Sequence, residues 1–254
     1  MNAPLIILCV TCALAGCSGT KQPPGETKKE PAISFFEVDP ATAGTLKGIV
    51  RFSGMKPARK AIDMSGDPAC VQAHHGKPYD ESFVVNSNGT LANVFIRVKS
   101  GLEGKNFEVP KAPVTIDQHG CWFEPRVMGI QTGQTLQVTN SDPVTHNIHP
   151  LAEINREWNH SQGQGDPPLA RRFLKPEAMI RVKCNIHSWM HAFIGVVENP
   201  YFAVTGSDGR FEIRNLPPGE YVLEAWQEML GAQDQKITVS PRGTIETSFA
   251  FNGE

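Results

Sequence analysis

Beyond Gly44 the apolar residues of this chain come only in short runs, each closed by turn chemistry, and that pattern argues against a helical fold. The runs GTLKGIVRF, LANVFIRV, QTLQVTN, AMIRVKC, AFIGVVE, EYVLEAW and TIETSFAF alternate apolar and polar residues or are rich in β-branched side chains. Between such runs stand NSNGT, TGQ, NSDP, GSDG and LPPG. Their Gly, Pro, Asn and Asp supply positive φ, a fixed φ or a side-chain acceptor, which is what a reversal of the backbone needs. No stretch sustains a helical period over four turns. Residues 152–172, AEINREWNHSQGQGDPPLARR, are polar and irregular and read as a long loop with at most one helical turn. The expected class is all-β, a sandwich or Greek-key barrel built of short strands.

A length of 254 residues allows one large or two ordinary domains, and 40% hydrophobic residues suffice for a buried core. A formal net charge of −2 offers no basic excess, so no nucleic-acid partner is expected. The opening MNAPLIILCVTCALAGCSGT is an apolar run ending in small residues, the pattern of a secretory signal. Its apolar part, Leu5 to Ala15, is too short to cross a bilayer. The tetrad Leu14-Ala15-Gly16-Cys17 resembles the bacterial lipoprotein signal. That likeness implies cleavage before Cys17, lipidation of its sulfur and a membrane-surface anchor. Residues 1–17 are then the signal, and residues 18–43, rich in Pro, Lys, Glu and Gly, a flexible tether. The expected location is the bacterial cell envelope on the periplasmic face, with Ser18 favouring the outer membrane. A soluble secreted product is the alternative.

Of six cysteines, Cys9 and Cys12 would leave with the signal and Cys17 would take lipid. Cys70, Cys121 and Cys184 remain, and an odd number in an oxidising compartment leaves one thiol unpaired. Cys70 and Cys121 stand in polar, turn-like surroundings, whereas Cys184 lies in VKCNIHSWMHAF. The economical reading pairs Cys70 with Cys121 and leaves Cys184 free; two unpaired buried thiols are the alternative. A bound metal would protect the free thiol. Cys184, His187 and Met190 form C-x2-H-x2-M between two strand-like runs, and VTNSDPVTHNIHP supplies a second imidazole. Two imidazoles, one thiolate and a distant thioether compose the trigonal site of electron-transfer copper. Structural zinc wants four strong ligands, and Met is not one. A binuclear copper site would need a second nearby cysteine. Cys/His catalysis would need an oxyanion site and an orienting acid, and neither is evident. No G-x-S-x-G, H-E-x-x-H, Rossmann or P-loop pattern occurs, so no enzymatic activity is expected.

Two segments, FEPRVMGIQTGQTLQVTNSDPVTHNIHP and CNIHSWM, resemble the blue-copper cupredoxins, with plastocyanin and amicyanin nearest. The resemblance implies a Greek-key cupredoxin β-sandwich over residues 84–198. It further implies one type 1 copper held by His146, Cys184 and His187, with Met190 as a long axial ligand. Asn147 would fix the loop around the thiolate, and His191 is an alternative fourth ligand. His119 and His149 are expected to be surface or hydrogen-bonded histidines; His74, His75 and His160 are read as loop histidines, with a second metal site as the alternative; Trp189 is expected to pack over the loop, shield the copper or contact a partner. The segment YFAVTGSDGRFEIRNLPPGEYVLEAWQE resembles the carboxypeptidase regulatory-like modules, which implies a smaller prealbumin-like sandwich over residues 199–254. GTLKGIVRFSGMKP looks like the first strand of that family, so residues 44–83 either open a split module or decorate the cupredoxin. The implied function is to carry single electrons between redox protein partners. The rivals are a module that grips carbohydrate or protein without redox chemistry, and a copper-dependent enzyme or sensor.

Overall fold

The structure, a computed structural model, describes residues 34–74 and 76–253. The expected signal, the lipid-bearing Cys17, the tether up to residue 33 and His75 lie outside them. In chain order the elements are β1 (Gly44–Ser53), α1 (Pro68–Ala73), β2 (Phe95–Ser100), β3 (Val114–His119), β4 (Trp122–Glu124), β5 (Val127–Gln131), β6 (Thr135–Asn140), β7 (His146–Pro150) and β8 (His160–Gln162). There follow β9 (Leu169–Arg172), β10 (Glu177–Lys183), β11 (His191–Val197), β12 (Phe202–Val204), β13 (Arg210–Leu216), β14 (Gly219–Gln227), β15 (Gly231–Val239) and β16 (Thr244–Asn252). The fold is all-β, as the punctuated runs require. No helix among the described residues is long and apolar enough to cross a membrane.

The strands make two sandwiches. In one, sheet β5-β11-β10-β7-β8 faces sheet β4-β3-β6-β9. Their shared core holds Ile116, Phe123, Ile130, Leu136, Val138, Ile148, Val182 and Ile194. Pairing here is mixed: β3 runs parallel to β6 and β5 parallel to β11, while β10 and β11 form an antiparallel hairpin. In the other, sheet β13-β1-β16 covers sheet β12-β2-β14-β15 over Leu46, Val50, Ile96, Val98, Leu223, Phe249 and Phe251. The pairing crosses the expected boundary at residue 84. β1 joins β13 and β16, and β2, from within the segment expected to be cupredoxin, joins β12 and β14. The first sandwich is therefore inserted between strands of the second.

Three local expectations differ from the structure. Residues 34–43 were assigned to the tether, yet Phe36 donates its amide to the Asn106 carbonyl at 2.6 Å and packs with Val38 on the second core. Burying an aromatic ring outweighs the polar composition of its neighbours. Residues 152–172 contain two short strands, β8 and β9, paired with β7 and β6. Their polarity misled because both strands lie at sheet edges, where alternation weakens. The six residues of α1 are too few for a periodic signal, but Asp67-Pro68 is a helix start: the Asp67 carboxylate accepts from the amides of Ala69 and Cys70.

β5 is buried along its whole length because both its faces are covered. One faces the first core, and the other meets Phe95, Phe202 and Trp226 of the second sandwich. Glycine makes that approach feasible. A Cβ on Gly195 would lie 2.6 Å from the Phe95 ring, and one on Gly129 would lie 2.3 Å from Phe202. Gly195→Val should therefore cost about 1–3 kcal/mol by overpacking; chemical denaturation of the variant checks this.

On the second sandwich Glu224 receives Arg97 at 2.7 Å and Lys99 at 3.0 Å. Burial alone would raise the pKa of Glu224, but the two cations outweigh it and hold the carboxyl below its ordinary range. A depressed folded-state pKa stabilises above the unfolded value and loses that contribution as pH falls through the folded value. Stability should therefore drop on acidification below the usual carboxylate range. Glu224→Gln should flatten that slope and cost about 2 kcal/mol at neutral pH, because Arg97 is left half-buried and unpaired. Urea unfolding at several pH values reads both effects.

Candidate metal centre

The loop between β10 and β11 is closed by its own backbone: Cys184 donates to the Met190 carbonyl and Met190 to the His187 carbonyl, each at 3.0 Å. This tight reversal turns Cys184 and His187 inward and buries Met190 completely. The turn from β6 to β7 brings the other half. Asn140 fixes it by donating to the carbonyls of Val144 and Gln162 and accepting from the Asp142 amide. His146 then enters β7 fully buried.

The Nδ1 atoms of His146 and His187 face each other at 3.0 Å, and Cys184 Sγ lies 3.9 Å from His187 Nδ1. Ligand atoms of the three residues all lie within 4.8 Å of one another. Three such ligands around one trigonal metal would be roughly 3.5–3.8 Å apart at ordinary metal–nitrogen and metal–sulfur lengths. The cluster is near that size.

Carboxylates set the tautomers. His146 Nε2 meets Asp142 Oδ2 at 2.7 Å and His187 Nε2 meets Asp67 Oδ2 at 3.0 Å. An ionised carboxylate can only accept, so each Nε2 carries a proton, and Nδ1 is left as the ring atom that can offer a lone pair to a metal in the cluster. Asp142 is almost wholly buried and also accepts the amides of Gly120 and Cys121, both at 2.7 Å. Burial alone would raise its pKa; hydrogen bonds from His146 and the two amides hold it below the usual carboxylate range. For Asp67 the His187 hydrogen bond is the largest influence, and it lowers the pKa.

The thiol is tuned in the same way. Burial would raise the pKa of Cys184, but the neighbouring His146 ring, which favours the thiolate when it is protonated, and the amides of His187, Asn147 and Ile186 bring it down to about 7. The His187 amide stands 3.4 Å from Sγ. Asn147 accepts the Asn185 amide at 2.9 Å and donates to Asn159, which ties the cysteine loop to the first histidine's strand.

Cys70 and Cys121 form a disulfide, and it belongs to the site. Cys70 Sγ lies 3.6 Å from His187 Nε2. Two further donor clusters, Asp67–Cys70–His187 and Cys121–Asp142–His146, border the centre. Their sulfurs are already bonded to each other and offer no thiolate, so these clusters form the wall behind the imidazoles. Trp189 closes another side, donating to the Cys121 carbonyl at 3.2 Å. His191 stands apart from the cluster: Nε2 meets Arg126 at 2.5 Å and Nδ1 meets the Trp189 carbonyl at 3.0 Å. As an alternative ligand it would have to abandon both contacts and Glu228, whose carboxylate lies 3.6 Å away. His149 pairs with Glu157, His74 accepts from Trp122, and His119 is exposed.

Sequence reasoning missed both carboxylates. Asp142 is visible in retrospect as the acid one helical-turn spacing before His146 in NSDPVTH, read at first only as turn chemistry. Asp67 lies far from the motif in the chain, and the disulfide helps to bring it there.

The family model described as polysaccharide lyase family 4, domain II matches residues 187–247. The match differs from the carboxypeptidase regulatory-like family expected for residues 199–254. No curated protein matches the chain. Among solved structures, the copper-containing nitrite reductase of Thermus scotoductus aligns at 24% identity and a TM-score of 0.33, covering 41% of this chain and 25% of that one. The chain thus spans about a quarter of that enzyme. The purple cupredoxin of Nitrosopumilus maritimus aligns at 22% identity and a TM-score of 0.28, covering 33% of this chain and 98% of that one. A Cu(I) amicyanin variant aligns at 18% identity and a TM-score of 0.30, over 35% and 86%. Against the expectation of no enzymatic activity, one of these similar structures is an enzyme.

Proposed function

We propose that the chain binds one copper ion through His146 Nδ1, Cys184 Sγ and His187 Nδ1, with Met190 as the weak fourth ligand, and exchanges single electrons there. The observation that carries this reading is the donor set: two imidazole lone pairs and a thiol of lowered pKa converge in a buried, carboxylate-braced pocket. Copper, when bound, supplies a one-electron couple between Cu(I) and Cu(II), for which soft sulfur and imidazole ligands suit both states. The protein's part is to hold one geometry. Asp142 and Asp67 fix the rings, the amides of His187 and Asn147 stabilise the thiolate, and Trp189 and the disulfide exclude water.

Loading the protein with Cu(II) should give an intense visible thiolate-to-copper band and a narrow copper hyperfine splitting. Cys184→Ser should abolish the band in a folded protein. A band that survives the substitution, or an ordinary square-planar spectrum in the parent, would refute the assignment. Adding azide to the loaded protein reads whether a coordination position is open to a small substrate.

We also infer export and attachment to a membrane surface through Cys17, with the disulfide as support, since such bonds persist in oxidising compartments. Fatty-acid labelling that disappears in Cys17→Ala tests the anchor.

A further inference from the structure

An open groove of about 760 Å³ lies between residues 154–159 and 171–175, beside the candidate centre. Four cations line it: Arg156, Arg171, Arg172 and Lys175. Among the described residues none of the four is in an ion pair. The groove's one carboxylate, Glu157, is held by His149. A chain of net charge −2 thus concentrates unpaired positive charge at one place. Two apolar side chains, Ile154 at 56% and Leu174 at 73% exposure, stand in the same groove. The Arg171 guanidinium lies over the Trp158 ring, 5.5 Å from its centroid, and Trp158 Nε1 is buried without a hydrogen-bond partner.

The walls are fixed. Asn155 accepts the amides of Leu174 and Lys175 and donates to the Lys175 carbonyl, while Glu177 accepts the amides of Glu153 and Asn155. The groove also connects to the centre. Asn159, on its rim, accepts from Asn147, and Asn147 accepts the amide of Asn185, the residue after Cys184.

We propose that this groove is the docking face for an acidic redox protein, with Asn159, Asn147 and Asn185 as the covalent and hydrogen-bonded route to the thiolate. The inference rests on the reading of the centre as an electron-transfer site. Carboxylates around a small apolar contact would complement four cations around Ile154 and Leu174. One electron crosses per encounter, and the partner loses or gains the electron that the centre gains or loses. The route to Cys184 is what favours a redox protein over an anionic polysaccharide, which would need no such connection.

The test has two arms on the full chain. In the first, the metal-free, isotope-labelled protein is titrated with hexacyanochromate(III), a redox-inert paramagnetic trianion. Line broadening should centre on residues 154–159 and 171–175; broadening centred elsewhere overturns the proposal. Poly-L-glutamate should displace the probe at least as well as polygalacturonate, and a marked preference for polygalacturonate would make the groove a glycan site. In the second arm, hexacyanoferrate(II) reduces the copper-loaded protein. Arg171→Glu with Arg172→Glu should slow it about tenfold or more at low ionic strength, and Arg171→Lys with Arg172→Lys should not. A cationic cobalt phenanthroline couple should not be slowed by the charge reversal. Equal rates for all variants would overturn the proposal. If the protein takes up no copper, the functional reading fails alone, and the broadening arm still decides whether the groove recognises anions.

Discussion

Replacing Cys70 and Cys121 by Ser together should cost about 4 kcal/mol of stability, the loop-closure contribution of a bridge spanning 51 residues. The loss should not stop at stability. The bridge carries Asp67 and α1 to the second imidazole, and without it the 3.0 Å contact between Asp67 and His187 depends on the His74–Trp122 hydrogen bond and the burial of Met64. One side-chain hydrogen bond contributes about 1 kcal/mol, too little to restore the loop closure that the bridge supplies. The double variant should therefore bind copper more weakly than the parent, with a visible band that is broadened or lost. Thermal unfolding of the metal-free protein isolates the stability term, and a copper titration reads the site. A variant that unfolds at the parent temperature and binds copper as tightly would show that the disulfide is incidental to both.

Asp142→Asn should weaken metal binding by about 10–100-fold, the usual cost of losing a partner behind a ligand. The side chain keeps its shape, so the effect is chemical. An amide has one oxygen for the two positions that now accept, so its NH2 must oppose at least one of the present donors. The Cys121 amide and His146 Nε2 both address Oδ2, and the Gly120 amide addresses Oδ1. If the NH2 faces His146, the imidazole must move its proton to Nδ1, the atom that should ligate. The metal-free protein reports this directly: nitrogen NMR of His146 should show the Nε2–H tautomer in the parent and a shifted population in the variant. Unchanged affinity would mean that His146 is oriented by β7 alone.

How much of this was legible in the sequence depends on chain separation. His146, Cys184 and His187 are carried by two short motifs whose spacing announces thiolate and imidazole chemistry, and the turn residues around them announce strands. Asp142 lay inside one of those motifs. Its role was hidden because NSDP is equally good turn chemistry, and only the burial of the carboxylate separates the two roles. The Cys70–Cys121 pairing was legible, but Asp67 and the place of the bridge beside the imidazoles were not, since nothing in GDPAC says which strand it will cover. β2 was assigned to the wrong side of a boundary for a related reason. LANVFIRV alternates as a strand in either sandwich would, and the choice is made by Phe95 finding the flat backbone at Gly129 and Gly195. Strand type is local information, whereas partner choice is not.

The parallel pairing of β1 with β16 bears on the order of synthesis. All strands of the sandwich that carries His146 and Cys184 lie between residues 114 and 197 and can close on one another as soon as that stretch is available. β1 is made long before β16, its partner across nine paired positions. During vectorial growth the sheet edge at Gly44–Ser53 waits, exposed, until Thr244–Asn252 arrives. The enclosing sandwich is thus the last part to mature, and it closes around an inner unit that can already be folded.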